Sequence, residues 1–172
     1  SGAGVVVCPS AEANLGDGVF DLPAWLEAGT PISVGSDSHV QRQWPAELRL
    51  LEYAQRLVRR QRNVAAAPAQ GQPATAARLF QACLAGGAAA AGQARWGLQP
   101  GARADLLVLD TSASGLQGVP ADQTLDALVF ATDEAGVRDV WVAGEQVITG
   151  RTHHRSAALR DGLVQAMDAL HG

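Results

Sequence analysis

Short, continuously apolar runs alternate with polar and amphipathic ones through the first third of the chain. Residues 4–8 (GVVVC) are apolar throughout, a pattern that suits a parallel strand covered on both faces. Residues 31–40 (PISVGSDSHV) repeat it, with an apolar run that stops at Gly35 and then presents Ser36, Asp37, Ser38 and His39. Between the two, residues 9–18 are rich in Gly, Asn, Asp and Ser, which predicts an exposed loop at a strand's carboxyl end. Residues 20–28 (FDLPAWLEA) predict a short helix with Asp21 as N-cap, Pro23 in the first turn and Gly29 at the stop. Strand, loop, helix and strand at this spacing make a parallel βαβ crossover.

Residues 44–63 (WPAELRLLEYAQRLVRRQRN) carry the strongest helical pattern. Leu51, Ala54, Leu57 and Val58 are expected on its apolar face, Pro45 suits the first turn, and Glu52 to Arg56 is an i,i+4 pair in the favourable order. Arg56, Arg59, Arg60 and Arg62 sit toward its negative end and read as a solvated helix terminus. A Pro/Ala/Gln/Gly connector, residues 65–73, leads to an alanine-rich helix over 74–85. Gly86-Gly87 is expected to break it before residues 88–92 resume, with small side chains that let a helix approach its neighbour closely. From Trp96 onward the texture changes. Residues 104–110, 125–131, 137–144 and 145–150 read as strands, the last two joined by a tight turn at Ala143-Gly144-Glu145. Residues 155–170 predict an amphipathic helix with Leu159, Leu163, Met167 and Leu170 on one stripe. The expected division is 1–95, 96–154 and a terminal helix over 155–172.

Composition narrows the function classes. A hydrophobic fraction of 47% and a charged fraction of 17% are those of a globular chain with a core. A net charge of -4 leaves no basic footprint for nucleic acid or a membrane surface. No run approaches the ~20 apolar residues of a membrane span, and no signal-peptide pattern opens the chain, so the expected compartment is the cytoplasm. Cys8 and Cys83, far apart and in no CxxC pattern, are expected to be buried free thiols. The chain opens at Ser1 without methionine and almost directly inside an apolar strand, so it is expected to be a piece of a longer protein.

The chemistry-bearing candidate is Asp37. A carboxylate just past a parallel strand is fixed by the strand and exposed by the loop, the place where such folds keep catalytic groups. Two readings fit: a cap for the following helix, or a metal ligand whose second oxygen takes a proton from water.

The segments CPSAEANLGDG (8–18) and ISVGSDSH (32–39) together resemble the seventh and eighth strands of the amidohydrolase superfamily's barrel. Within it, ELRLLEYAQRLVRRQRN (47–63) resembles the formimidoylglutamate deiminases of histidine degradation. GGAAAAG (86–92), LQPGARADLLVLD (98–110) and VRDVWVAGEQVITGRTHH (137–154) are similar to the passage from barrel to composite β-sandwich and to that sandwich's closing hairpin, motifs shared across many amidohydrolases. The fold this implies is α/β: the C-terminal portion of a TIM barrel, its last two strands and their helices, then strands of a small β-sandwich and a C-terminal helix. The resemblance implies that Asp37 binds the catalytic divalent metal, usually zinc, and serves as general base on the attacking water. The implied reaction is hydrolysis of N-formimino-L-glutamate to N-formyl-L-glutamate and ammonia. A small-molecule substrate and a homodimeric complete enzyme belong to the same expectation. Glu12 and Asn14, after strand seven, and His39 face the same mouth; each is a candidate for substrate contact, with turn or loop chemistry as the alternative.

The family's HxH pair on strand one, and its histidines and glutamate on strands five and six, have no counterpart here. Of the four histidines, His153, His154 and His171 are expected on the surface, and none forms HxH. A catalytic zinc takes about three protein ligands, so this chain alone is expected to be inactive. Two other functions fit: a related aminohydrolase acting on a purine, pyrimidine or triazine ring, or a non-catalytic assembly module.

Overall fold

Strand β1, Val5–Val7, pairs in parallel with β2, Ile32–Val34, with Val5 opposite Ile32 and Val7 opposite Val34. The computed structural model describes residues 2–132 and 136–172. They divide into two compact units, Ser1–Ala102 with Thr111–Gly136, and Arg103–Asp110 with Val137–Gly172.

In the first unit the crossover from β1 to β2 carries two helices, α1 (Pro9–Leu15) and α2 (Leu22–Glu27). The second was predicted: Asp21 caps it, accepting from the Ala24 amide, and Gly29 follows with φ of 66°. The first replaces the expected loop. Asn, Gly and Asp signalled turns, but Pro9 preorganises a first helical turn, the Glu12 carboxylate reaches back to the Cys8 amide at 2.9 Å, and Gly16 closes the helix in the left-handed region. Local capping therefore outweighs the turn-forming composition.

Helix α3, Trp44–Arg59, forms with Pro45 in its first turn and Glu52 paired to Arg56 at 2.8 Å. Its buried face is Leu48, Leu51, Glu47, Glu52 and Gln55; the expected Leu57 and Val58 are exposed, at 80% and 64%. An apolar count alone puts the stripe in the wrong place, because two carboxylates and an amide occupy the inward positions. Helix α4, Thr75–Ala90, runs unbroken through Gly86-Gly87 and packs on β2, where a Cβ at Gly86 would stand 2.1 Å from the Ile32 carbonyl oxygen. The glycine pair serves the predicted close approach and does not break the helix.

Residues 125–131, expected as a strand, lie almost wholly in helix α5, Thr124–Phe130. Seven apolar-rich residues are too few for periodicity to separate the two states. Leu125, Leu128 and Val129 stand at helical spacing and pack into the core, while the Asp126 carboxylate accepts the Ala76 amide of α4 at 3.0 Å. The core gathers Val7, Leu22, Ile32, Leu48, Leu51, Ala65, Ala76, Leu79 and Val129. Val7 is buried but Val6 is 58% exposed, so the apolar β1 run is covered on one face only among the described residues.

The second unit is an antiparallel sheet in the order β3 (Leu106–Leu109), β4 (Val137–Val142), β5 (Glu145–Thr149), β6 (Thr152–His153), followed by α6 (Ser156–His171). β4 and β5 are joined at Ala143 and Gly144, whose φ of 53° and 85° suit a primed hairpin turn. Asp139 is buried and accepts the Gly150 amide at 2.8 Å and Arg138 Nε at 2.7 Å. The Leu159, Leu163, Met167 and Leu170 stripe of α6 is exposed. His154 and His171 are exposed as expected; His153 is half-buried, and its Nδ1 accepts the Arg155 amide at 3.0 Å.

Candidate active site

Parallel pairing brings the carboxyl ends of β1 and β2 out side by side. The Gly35 amide donates to the Val7 carbonyl at 3.0 Å, extending the ladder one residue beyond the strands. A Cβ at Gly35 would lie 3.2 Å from Cys8 Sγ, so this glycine lets the two chain exits touch. Two residues later Asp37 stands exposed on a turn with φ of 47°, a left-handed conformation that Asp tolerates better than most residues.

The turn is tied down by its own groups. The His39 amide donates to the Ser36 carbonyl at 3.0 Å, His39 Nδ1 accepts the Gln41 amide at 3.0 Å, and Gln41 Oε1 accepts the Gln43 amide at 3.0 Å. With Nδ1 accepting, a neutral His39 ring carries its proton on Nε2.

Cys8 links the two strand ends electrostatically. Burial first, then the negative charges of Asp37 and Glu12, push its thiol up; the Gly35 amide acts the other way, and Glu47 adds a smaller upward push. Asp37, Glu12 and Glu47 thus all act on the Cys8 thiol. Both cysteines are free, but they are half-buried and not fully enclosed as expected.

Of the sequence candidates, Asp37 and Glu12 come to this corner. One Glu12 oxygen holds the Cys8 amide, and the residue also borders a cavity of about 290 Å³ lined by Pro9, Val19, Phe20, Leu51 and Gln55. Asn14 is exposed on α1 and is not among the residues that line this cavity. His39 is half-buried in the Asp37 turn. Sequence reasoning missed Glu47: it is 2% exposed, and its Oε2 accepts the Ser10 amide at 2.9 Å. The signal was a carboxylate on the same helical face as Leu48 and Leu51.

A lone carboxylate at a strand end fits one coordination position of a divalent metal, and Asp37 makes no hydrogen bond or ion pair among the described residues that would compete for it. Among those residues no group of three or more His, Cys, Asp or Glu is arranged to hold a metal ion. Among the described residues Asp37 therefore stands without further ligands grouped beside it.

A parallel strand pair flanked by helices, with an acidic residue at its strand mouth, places the first unit among the α/β folds that keep their chemistry at strand ends. The amidohydrolase family profile matches residues 1–147, and the chain belongs to the amidohydrolase family. It is 42% identical over 170 residues to formimidoylglutamate deiminase of Pseudomonas aeruginosa, covering 99% of this chain and 37% of that protein. Among solved structures it is similar to an amidohydrolase from Brucella melitensis, with a TM-score of 0.88, 38% identity, and coverage of 99% of this chain and 37% of that one. An adenosine deaminase from Xanthomonas campestris with bound zinc gives a TM-score of 0.79 at 26% identity, over 96% of this chain and 37% of the other. The chain spans little more than a third of the length of these relatives. Among the described residues no helix is long and apolar enough to cross a membrane.

Proposed function

We propose that the intact protein is a metal-dependent deiminase that hydrolyses N-formimino-L-glutamate to N-formyl-L-glutamate and ammonia. In this reading the chain supplies the last two strands and helices of a TIM barrel, strands of a composite β-sandwich and the C-terminal helix. The observation that carries it is the Asp37 carboxylate, unpaired among the described residues, at the mouth of two parallel strands, within a chain 42% identical to a formimidoylglutamate deiminase.

Asp37 would hold a divalent metal, zinc as in the Xanthomonas relative. When bound, that ion supplies Lewis acidity and eases deprotonation of water at neutral pH. The Asp37 carboxylate takes one proton of the attacking water as the new C–O bond forms at the formimino carbon, and passes it to the nitrogen as the C=N bond becomes single. The remaining hydroxyl proton follows by the same route as the C=O bond forms, the C–N bond breaks and ammonia leaves. His39 supports the turn through Nδ1, and in this reading its Nε2–H would donate to a substrate oxygen. Glu12 and Asn14 remain substrate-contact candidates, Glu12 with one oxygen already committed to Cys8. A cytoplasmic homodimer acting on a small molecule belongs to the same reading.

The test is ammonia release by the purified intact protein from N-formimino-L-glutamate, adenosine and guanine, with zinc content measured in parallel. Turnover of the formimino substrate alone, lost in Asp37→Asn, is expected. Asn accepts the left-handed φ of this position, so folding should be kept. Turnover of adenosine instead would sink the substrate assignment and favour a purine aminohydrolase, the reading that the Xanthomonas similarity supports. The 172-residue chain by itself should bind zinc weakly and release no ammonia.

A further inference from the structure

Resting on the metal-site reading of Asp37, we propose that Glu47 is a positioning residue: its buried carboxylate fastens the start of α3 to the start of α1 and thereby fixes the turn that carries Asp37. Glu47 lies in the first turn of α3, directly after that turn, and is 2% exposed. Its Oε2 accepts the Ser10 amide at 2.9 Å across 37 residues of chain. Its Oε1 is buried with no hydrogen-bond partner among the described residues.

The contacts close a loop. Ser10 stands two residues after Cys8, whose amide is held by Glu12 at 2.9 Å and whose sulfur abuts Gly35. Gly35 is bonded to Val7 and precedes Asp37 by two residues. The turn from Ser36 to Gln43 carries three bonds of its own, His39 to Ser36, Gln41 to His39 and Gln43 to Gln41, and the Glu47 amide donates to the Gln43 carbonyl at 3.2 Å. Asp37 thus hangs on a short segment with two fastenings: the β-ladder at Gly35 and the Glu47–Ser10 bond at the far end. Without the second, the ladder at Gly35 and the turn's own bonds are left to restrain a residue in the left-handed region.

A half-satisfied buried carboxylate is a poor device for stability alone. Beside Leu48 and Leu51 an apolar side chain of equal length would pack without leaving an oxygen unpartnered, and such replacements are often neutral or stabilising. The presence of the charge is better accounted for by the bond it makes to the opposite strand exit.

The experiment uses the intact protein with Glu47→Met and Glu47→Gln. Zinc affinity is measured on metal-free protein by chelator competition, alongside kcat, KM and thermal unfolding. Gln keeps an oxygen for the Ser10 amide and should hold zinc affinity and kcat within about threefold of the parent. Met should fold normally yet lose about tenfold or more in zinc affinity and in kcat, with KM little changed, the range seen when a ligand's supporting shell is removed. Unchanged zinc affinity in Glu47→Met overturns the proposal. So does equal loss in both variants, which would make the charge and not the Ser10 bond the agent, and so does a Met variant that no longer folds, which would make Glu47 structural. If the parent binds zinc but does not turn over formiminoglutamate, the substrate reading fails while the zinc comparison still decides the role of Glu47.

Discussion

The carboxylate of Glu52 accepts the backbone amide of Ala65 at 2.9 Å in a fully buried setting. The same group takes the Val64 amide and Arg56 Nε, each at 2.8 Å. One side chain of α3 thereby anchors the connector that leads into α4. Glu52→Ala strands two amides and a guanidinium, and removing one partner of such a network costs about 3–5 kcal/mol. Urea unfolding should show that loss, with a smaller one for Glu52→Gln; a change under about 1 kcal/mol would mean that the connector is held otherwise.

Gly86 and Gly87 should respond in opposite ways to the same substitution. At Gly86 a methyl meets the Ile32 backbone, and a helix that must move off its strand loses about 1–3 kcal/mol or more. At Gly87 the nearest atom is Ser33 Cβ at 4.0 Å, so alanine should stabilise by about 0.5–1 kcal/mol through helix propensity. Paired denaturation curves of the two variants check both signs.

The two thiols should label differently. Burial pushes Cys83 up to about 12, so it carries almost no thiolate at pH 8 and should resist iodoacetamide. Cys8 should label first. Because Asp37 is among the charges that raise its pKa, Asp37→Asn should lower that pKa and speed Cys8 labelling, read by peptide mass spectrometry. An unchanged rate would separate the two side chains further than the structure does.

Acid should act on the hairpin unit through Asp139. The Gly150 amide, then Arg138, hold its carboxyl below the ordinary range. A depressed native pKa gives stability that is present in full above the unfolded value of roughly 3.9, and is lost as pH falls through the lower native value. Hydrogen exchange of β4 and β5 amides should therefore accelerate below about pH 4, and Asp139→Asn should flatten that response while exchanging faster at neutral pH.

Much of the first unit was legible in the chain. The apolar runs ending at Cys8 and Gly35, the Asp21-capped helix and the Trp44 helix each carry their own local signal, and each formed. What failed was decided partly by local capping and partly by partners distant in sequence. Residues 9–15 became helical through the Glu12 bond to Cys8, with α1 held against α3 by Glu47, and residues 124–130 through packing on α3 and α4. The candidate corner was half legible. Asp37 announced itself at a strand end, whereas Glu47 was hidden within an amphipathic pattern whose inward face is partly acidic.

The unbroken course of α4 has a kinetic consequence. Two adjacent glycines handicap this helix by about 2 kcal/mol relative to alanine, so an isolated Thr75–Ala90 peptide should be largely unstructured. Its second half can gain from helix formation only once Ile32 offers a surface for Gly86 to lie against. Residues 86–90 should accordingly show transition-state φ-values near zero while β1 and β2 score higher. The small-residue end of α4 is then a late arrival, zipped onto a strand already paired.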